Sequence, residues 1–292
     1  MNSWTDLLAV RPVVTDGAWG TELQARGLAI GDIPDRWNLT HPSRVAEVAR
    51  AYVEAGSQVI LTNTFRANRI ALASNRELAG SVEEINRRGV EISKFAPGHL
   101  VFASMGPAGK LLAAGEVTAP ELTDAFGEQA QALANAGANA ILVETMTDLD
   151  EAELAIAAAR ATGLPVAASV VFDSGKNKDR TMMGVTPEHA AARLTAAGAD
   201  IIGANCGRGI AGYVEICRRL RAASPLPIWI KANAGMPELV GGRATYRTTA
   251  AEFASFVPAL VEAGASFIGG CCGTTPDFIR AVKGALLPCV SG

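Results

Sequence analysis

Two kinds of hydrophobic pattern alternate along the chain. Short runs rich in Val, Ile and Ala recur, bounded by turn residues. They are Val13–Gly17, Gln58–Thr64, Leu100–Gly106, Ala140–Met146, Pro165–Phe172, Asp200–Gly207, Pro227–Asn233 and Ser266–Gly273. Their composition and length predict strands, and their near-continuous apolar character predicts burial on both faces, as in a parallel sheet. Between them lie Ala-rich amphipathic stretches that predict helices over 43–55, 82–95, 121–136, 150–161, 187–197, 211–222, 250–263 and 276–285. Thr186-Pro187 and Thr275-Pro276 read as helix starts, with Thr as cap and Pro in the first turn. Five helices end in a repeated phrase with Gly at 56, 137, 163, 198 or 264, the residue that accepts the left-handed turn closing a helix.

Eight strand–helix units in sequence predict a (β/α)8 TIM barrel of the α/β class, with an open doubly wound sheet as the competing arrangement. The spacing of the units is too irregular for a solenoid. At 292 residues the chain could hold two domains, but no linker or shift in composition divides it, so residues 1–292 are read as one barrel domain. Hydrophobic residues make up 49% and charged residues 19%, which excludes a disordered chain. A net charge of −3 leaves no basic footprint, so no nucleic-acid partner is expected. No apolar run approaches ~18 residues, so no membrane span is expected either. The N-terminus does not resemble a signal peptide. With five cysteines, an odd number too small for a disulfide scaffold, this points to the reducing cytoplasm.

A barrel concentrates its chemistry at the C-terminal ends of its strands. The predicted ends carry Asp16-Gly17, Asn63-Thr64, Glu144-Thr145, Asn205-Cys206-Gly207, Lys231-Ala232-Asn233 and Cys271-Cys272-Gly273, among others. Cys206, Cys271 and Cys272 can converge over the barrel mouth. Three thiolates suit Zn²⁺ and leave a fourth position open, the mark of a catalytic site. Small buried cysteines filling a barrel core are the plainer alternative. Cys217 and Cys289 read as structural. Asp16 and Glu144 could hold a ligand's ammonium group, or pair with a loop Arg or Lys. Lys231 could act as a Schiff-base amine in a metal-free lyase. Gly207–Gly212 fits G-x-G-x-x-G, but the following strand ends in Lys231 where a dinucleotide site needs an acid. His41, His99 and His189 lie away from the strand ends, so histidine acid–base chemistry is not expected.

These residues resemble the homocysteine S-methyltransferase family over nearly the whole chain. The resemblance rests on Asp16–Leu23, Leu61-Thr62-Asn63-Thr64-Phe65, Val143–Met146, Gly203–Gly207, Lys231–Gly235 and above all Gly269-Gly270-Cys271-Cys272-Gly273-Thr274-Thr275. It implies a (β/α)8 barrel in which Cys206, Cys271 and Cys272 ligate Zn²⁺. It implies further that Asp16 and Glu144 bind the amino group of homocysteine, that backbone amides near Gly17 and Ala18 take its carboxylate, and that Thr64 contributes to the substrate site. Asn205 looks like a support for the metal strand or the substrate. Zinc would hold homocysteine as its thiolate, which a free thiol of pKa ≈ 8.5 is not at neutral pH. That sulfur would then attack the donor methyl in line, giving methionine.

The partners implied are homocysteine and a small methyl donor, and a homo-oligomer is possible for the family. The chain is similar both to bacterial betaine–homocysteine methyltransferase-like proteins and to the homocysteine-binding barrel of cobalamin-dependent methionine synthases. It ends soon after the cysteine motif, so the folate and cobalamin domains of those synthases are not expected. Free-standing relatives use glycine betaine, S-methylmethionine or S-adenosylmethionine. Pro34–Asn38, Arg180–Gly184 and Ile230–Gly235 lean toward the bacterial betaine-type branch, with Trp37 as an aromatic face for a trimethylammonium group. Arg66 and Thr145 stand where animal betaine enzymes have tyrosines. The alternative function is a barrel subunit that accepts methyl groups from a separate corrinoid or folate protein.

Overall fold

A computed structural model of the protein describes residues 4–9, 12–94, 98–240 and 243–286. Eight strands lie in one parallel sheet: β1 (Val13–Val14), β2 (Val59–Leu61), β3 (Leu100–Met105), β4 (Ala140–Met146), β5 (Val166–Val170), β6 (Ile201–Gly209), β7 (Ile228–Asn233) and β8 (Ala265–Gly270). Neighbours follow chain order from β2 to β8, and β8 then pairs with β1. The seam between β1 and β2 closes through a single bridge, Thr15 to Val59, and the Gln58 N–H donating to the Val14 carbonyl at 2.8 Å. The fold is therefore the (β/α)8 barrel and not the open sheet.

The helices form where the sequence places them. The Thr186 hydroxyl accepts from the His189 N–H at 3.3 Å and Pro187 opens the helix Pro187–Ala196. Gly56, Gly137, Gly163, Gly198 and Gly264 all take the left-handed conformation, with φ between +79° and +109°. That backbone turns each helix back toward the next strand at no Cβ penalty. One expectation fails. Residues 250–263 do not form one helix but two, Ala250–Ser255 and Val257–Glu262. Pro258 explains the break, because it lacks an N–H and its ring excludes the carbonyl a turn earlier. The loop after β7 also folds into an antiparallel hairpin, Glu238–Val240 with Arg243–Thr245, that the hydrophobic pattern did not indicate.

The barrel interior is built in two tiers. In the lower tier the rings of Phe102 on β3, Trp229 on β7 and Phe267 on β8 meet with centroids 5.3 to 6.3 Å apart. β3 is not a sheet neighbour of β7 or β8, so these rings fill the barrel's centre. Strand side chains alternate faces, so the inward position recurs two residues on. That step replaces the aromatics with Ser104, Lys231 and Gly269, and on other strands it brings in Asp16, Glu144 and Asn205. All three of those polar side chains are buried. A dry aromatic floor thus carries a polar tier directly beneath the barrel mouth.

The close approach of β6 to β7 depends on a missing side chain. A Cβ on Gly203 would stand 1.9 Å from the Trp229 carbonyl oxygen, a backbone atom that cannot rotate away. Gly203→Ala is expected to lower the melting temperature by roughly 5 °C or more through overpacking. Gly127, inside the helix Ala119–Asn135 with nothing near its missing Cβ, is the control. Gly127→Ala should be neutral or stabilise by up to ~1 kcal/mol. Thermal unfolding of both variants checks the pair, and an unperturbed Gly203→Ala protein contradicts the packing argument.

Candidate metal centre and substrate cavity

The three cysteines meet at the ends of β6 and β8. Their sulfurs lie within 4.8 Å of one another, and among the described residues they form the single cluster of three or more potential ligands. Cys206 Sγ and Cys272 Sγ are 3.9 Å apart. Bonds of about 2.3 Å to a tetrahedral zinc place two sulfurs about 3.8 Å apart, so the spacing fits that ion. The donor set fits as well, since soft thiolates favour zinc over hard cations. A further sign lies at the end of β7. The Asn233 amide donates toward Cys206, while its buried carbonyl oxygen has no partner at all. Buried acceptors are rarely left so.

The local sequence explains how the sulfurs are held. Cys206 has φ +63°, a left-handed conformation unusual for a residue with a side chain. Its carbonyl accepts from the Tyr213 hydroxyl at 2.6 Å. On the other side, the Cys271 N–H donates to Ala232 O at 2.7 Å, and the Thr274 hydroxyl returns to Cys271 O at 2.7 Å. A side chain on Gly270 would collide with Thr274, and Gly273 turns left-handed beneath the Tyr246 ring. The run Gly-Gly-Cys-Cys-Gly-Thr is thus a tight turn that presents two adjacent thiols. Among themselves the thiols share charge unequally. Hydrogen bonds from Cys271 and Cys272 hold Cys206 far down, to about 3, while the bonds to Cys206 push Cys271 well above the thiol range. A divalent cation is what would let all three ionise together.

Asn205 organises the tier below. Its Oδ1 accepts from the Thr145 N–H at 2.9 Å and from the Ser169 hydroxyl at 2.7 Å. Its Nδ2 donates to Thr145 Oγ1 at 2.7 Å and approaches Glu144 Oε2 at 3.4 Å. Thr145 is itself left-handed, with φ +62°, so Asn205 braces one strained residue and is followed by another. Glu144 Oε1 accepts from the Ser104 hydroxyl at 2.5 Å. Burial pushes the Glu144 carboxyl above its ordinary value, with Lys231 and Ser104 pulling it back. The other carboxylate is held more tightly. Asp16 Oδ2 accepts from Trp19 Nε1 at 2.6 Å and from the Leu61 N–H at 2.7 Å, and Oδ1 is ion-paired with the Lys231 ammonium. An ammonium engaged in that way is no free amine, which argues against a Schiff-base lyase.

A cavity of about 310 Å³ opens over the cysteines. Its walls include Gly17, Ala18, Trp19, Phe65, Glu144 and Lys231, together with Asp35 and Arg66. The expected site residues divide here. Cys206, Cys271, Cys272, Glu144, Gly17 and Ala18 come together around it. Asp16, Thr64 and Asn205 lie behind its wall, fully buried. Thr64 is committed to Ser104 O at 2.7 Å, and the Ala18 N–H is directed to Thr274 O at 3.3 Å. Trp37 is not brought to this cavity. Its ring packs on His41, with the Arg44 guanidinium 5.3 Å from its centroid, and it lines a separate surface cleft. From the same Pro34–Asn38 phrase it is Pro34 and Asp35 that line the cavity. This carboxyl is 1% exposed and accepts from the Arg66 N–H at 3.0 Å, and burial raises it to about 6. Sequence reasoning missed Asp35, Ser104 and Asn233. Each carried a signal, since Ser104 and Asn233 close predicted strands and Asp35 is an acid inside a singled-out phrase.

The G-x-G-x-x-G run has a packing explanation. A Cβ on Gly209 would press on Gly235, and one on Gly212 would overlap the Arg208 guanidinium. Arg208 lies across Gly212 to reach the carbonyls of Asn177 and Lys178, tethering the loop after β5. A cleft of about 600 Å³ flanks this run, but its walls hold neither a cysteine nor Glu144. Cys217 is structural as expected, and burial pushes its thiol up to about 12. Cys289 lies outside the described residues.

Comparison with known proteins agrees with this geometry. The family model described as homocysteine S-methyltransferase matches residues 13–286. The methionine synthase of Mycobacterium leprae (strain TN) is 33% identical over 312 residues, covering 99% of this chain and 26% of that protein. The methionine synthase of Mycobacterium tuberculosis is 32% identical, covering 96% of this chain and 25% of that one. The chain therefore spans about a quarter of the length of these relatives. The homocysteine methyltransferase MmuM of Escherichia coli, in its metallated form, superposes with a TM-score of 0.79 at 25% identity, covering 94% of this chain and 96% of that one. A match running from β1 through the cysteine turn of β8 places the chain in the homocysteine S-methyltransferase family.

Proposed function

We propose that the protein transfers a methyl group from a small onium donor to the sulfur of homocysteine, with a zinc ion held by Cys206, Cys271 and Cys272. The observation that carries this reading is the convergence of three sulfurs, at zinc spacing, on a cavity lined also by the buried carboxyl groups of Glu144 and Asp35. Zinc bound there supplies the Lewis acidity that keeps a thiol deprotonated at neutral pH. Glu144 offers its carboxylate to the substrate ammonium, and Gly17, which lines the cavity, offers backbone to the substrate carboxylate. Transfer forms an S–C bond and breaks the donor's N–C or S–C bond. The electron pair leaves with the donor, which loses its positive charge. No proton moves to or from the methyl group, so the lack of a histidine in the cavity is no obstacle.

The cavity favours small donors within the onium class. Its volume lies at the lower end for ligand sites, which suits glycine betaine or S-methylmethionine better than the bulkier S-adenosylmethionine. Trp37 cannot serve the trimethylammonium group, because Arg44 and His41 already cover it. Phe65 and Trp19 supply aromatic surface in its place, and Asp35 beside Arg66 suits a donor that is both cation and carboxylate. Glycine betaine fits that description.

Reduced protein is expected to carry about one zinc per chain. With homocysteine it should form methionine from glycine betaine or S-methylmethionine, and poorly from S-adenosylmethionine or methyltetrahydrofolate. Cys272→Ala should lose the metal and at least 100-fold in rate. Zinc-free wild-type protein, or full activity in Cys272→Ala, would overturn the reading.

Asp35 gives the reaction a pH signature. Its folded value near 6 lies above the unfolded value of about 4, so the folded protein binds this proton more tightly. The stability it contributes is complete below pH ~4 and is lost as pH rises through 6. Asp35→Asn should therefore melt higher than wild type at pH 7.5, with the gap closing toward pH 4. Onium affinity runs the other way. The donor KM should rise about tenfold from pH 7.5 to pH 5 in wild type and stay flat in Asp35→Asn. Steady-state kinetics and thermal scans across that range check both signs.

A further inference from the structure

The polar tier contains a cation that the proposed chemistry does not use. Lys231 is 2% exposed, its ammonium is paired with Asp16, and its side chain forms part of the cavity wall. A buried lysine is costly unless it is paired. Here its partner is one of the two carboxylates that family resemblance assigns to the amino group of homocysteine.

Asp16 is poorly placed for that task in this chain. Three donors already converge on its two oxygens: Trp19 Nε1, the Leu61 N–H and the Lys231 ammonium. It is fully buried, and it does not line the cavity. Glu144 differs on each point. It lines the cavity, Oε1 has one close donor in Ser104, and Oε2 has only the 3.4 Å approach of Asn205. A carboxylate has about four acceptor positions, so Glu144 keeps several for a ligand.

We propose that Lys231 is an internal counter-ion that withdraws Asp16 from the substrate, so that Glu144 alone recognises the substrate's amino group. This rests on the homocysteine reading above and assigns its charges. Within the polar tier Asp16 and Lys231 cancel, leaving Glu144 as the tier's one uncompensated charge for one incoming ammonium, while Asp35 and Arg66 lie outside the tier in the cavity wall. Lys231 is then a positioning residue that sets how many cations the pocket accepts, and it touches no reacting atom.

The test compares homocysteine with its deaminated analogue, mercaptobutanoate, by titration calorimetry on zinc-loaded, reduced protein. Wild type should prefer homocysteine. Glu144→Gln should lower that preference by tenfold or more. The double variant Asp16→Asn/Lys231→Met, which removes the ion pair as a unit, should change it less than threefold. In the background of Glu144→Gln, adding Lys231→Met should restore part of the preference, because Asp16 is then released. A merely structural lysine would give no such rescue. Thermal unfolding supplies a readout independent of metal and ligand. Lys231→Met alone should lose far more stability than the double variant. Loss of preference in Asp16→Asn/Lys231→Met, or its persistence in Glu144→Gln, would overturn the assignment. Absence of homocysteine binding to wild type would instead remove the methyltransferase reading, and this inference with it.

Discussion

One buried carboxylate holds the barrel's weakest seam. β1 is two residues long and meets β2 through a single bridge, so backbone pairing contributes little there. Asp16 fills the gap. It receives an N–H from just beyond that bridge on β2, an indole from the helix after β1, and an ammonium from β7 on another part of the wall. One side chain therefore ties together three elements, two of them distant from it in sequence. Breaking a buried pair by removing one partner costs about 3–5 kcal/mol. That is a large share of the ~5–15 kcal/mol that stabilises a typical fold.

The same arithmetic of strand geometry separates structure from chemistry. Inward positions alternate along each strand, so an aromatic tier below and a polar tier above follow from residues two apart: Phe102 and Ser104, Trp229 and Lys231, Phe267 and Gly269. The lower tier keeps the floor dry, which strengthens every charge interaction above it. The upper tier accepts strain at Thr145 and Cys206, each worth about 1–3 kcal/mol. Asn205 offsets part of it by accepting from the Thr145 N–H and donating to the Thr145 hydroxyl.

Much of this was legible in the sequence, and the limits have physical causes. Apolar runs mark buried strands, and Gly after a helix marks its end, because both are local signals. The cysteines were legible because strand ends in a barrel share one face whatever their separation in the chain. Side-chain direction was not legible. Trp37 and Asp35 lie in one short phrase, yet only Asp35 enters the cavity, because Arg44 and His41 pack over the Trp37 ring. The ion pair of Asp16 with Lys231 joins residues 215 apart, and nothing local in either announces it. Asn233 closes a predicted strand, but its unpartnered oxygen exists only once β6 and β7 are aligned.

The sulfurs of Cys206 and Cys272 stand together although 66 residues separate them. Nothing short of aligned β6, β7 and β8 brings them within reach, so no fragment of the chain offers the complete set of ligands. Affinity for a cation is then a property of the finished barrel rather than of a motif. In a nascent chain only the adjacent pair Cys271-Cys272 stands together, and Cys206 joins it when the strands align. Once the barrel closes, a cation that needs all three sulfurs binds the native state more tightly than the unfolded one and biases the folding equilibrium toward it by mass action.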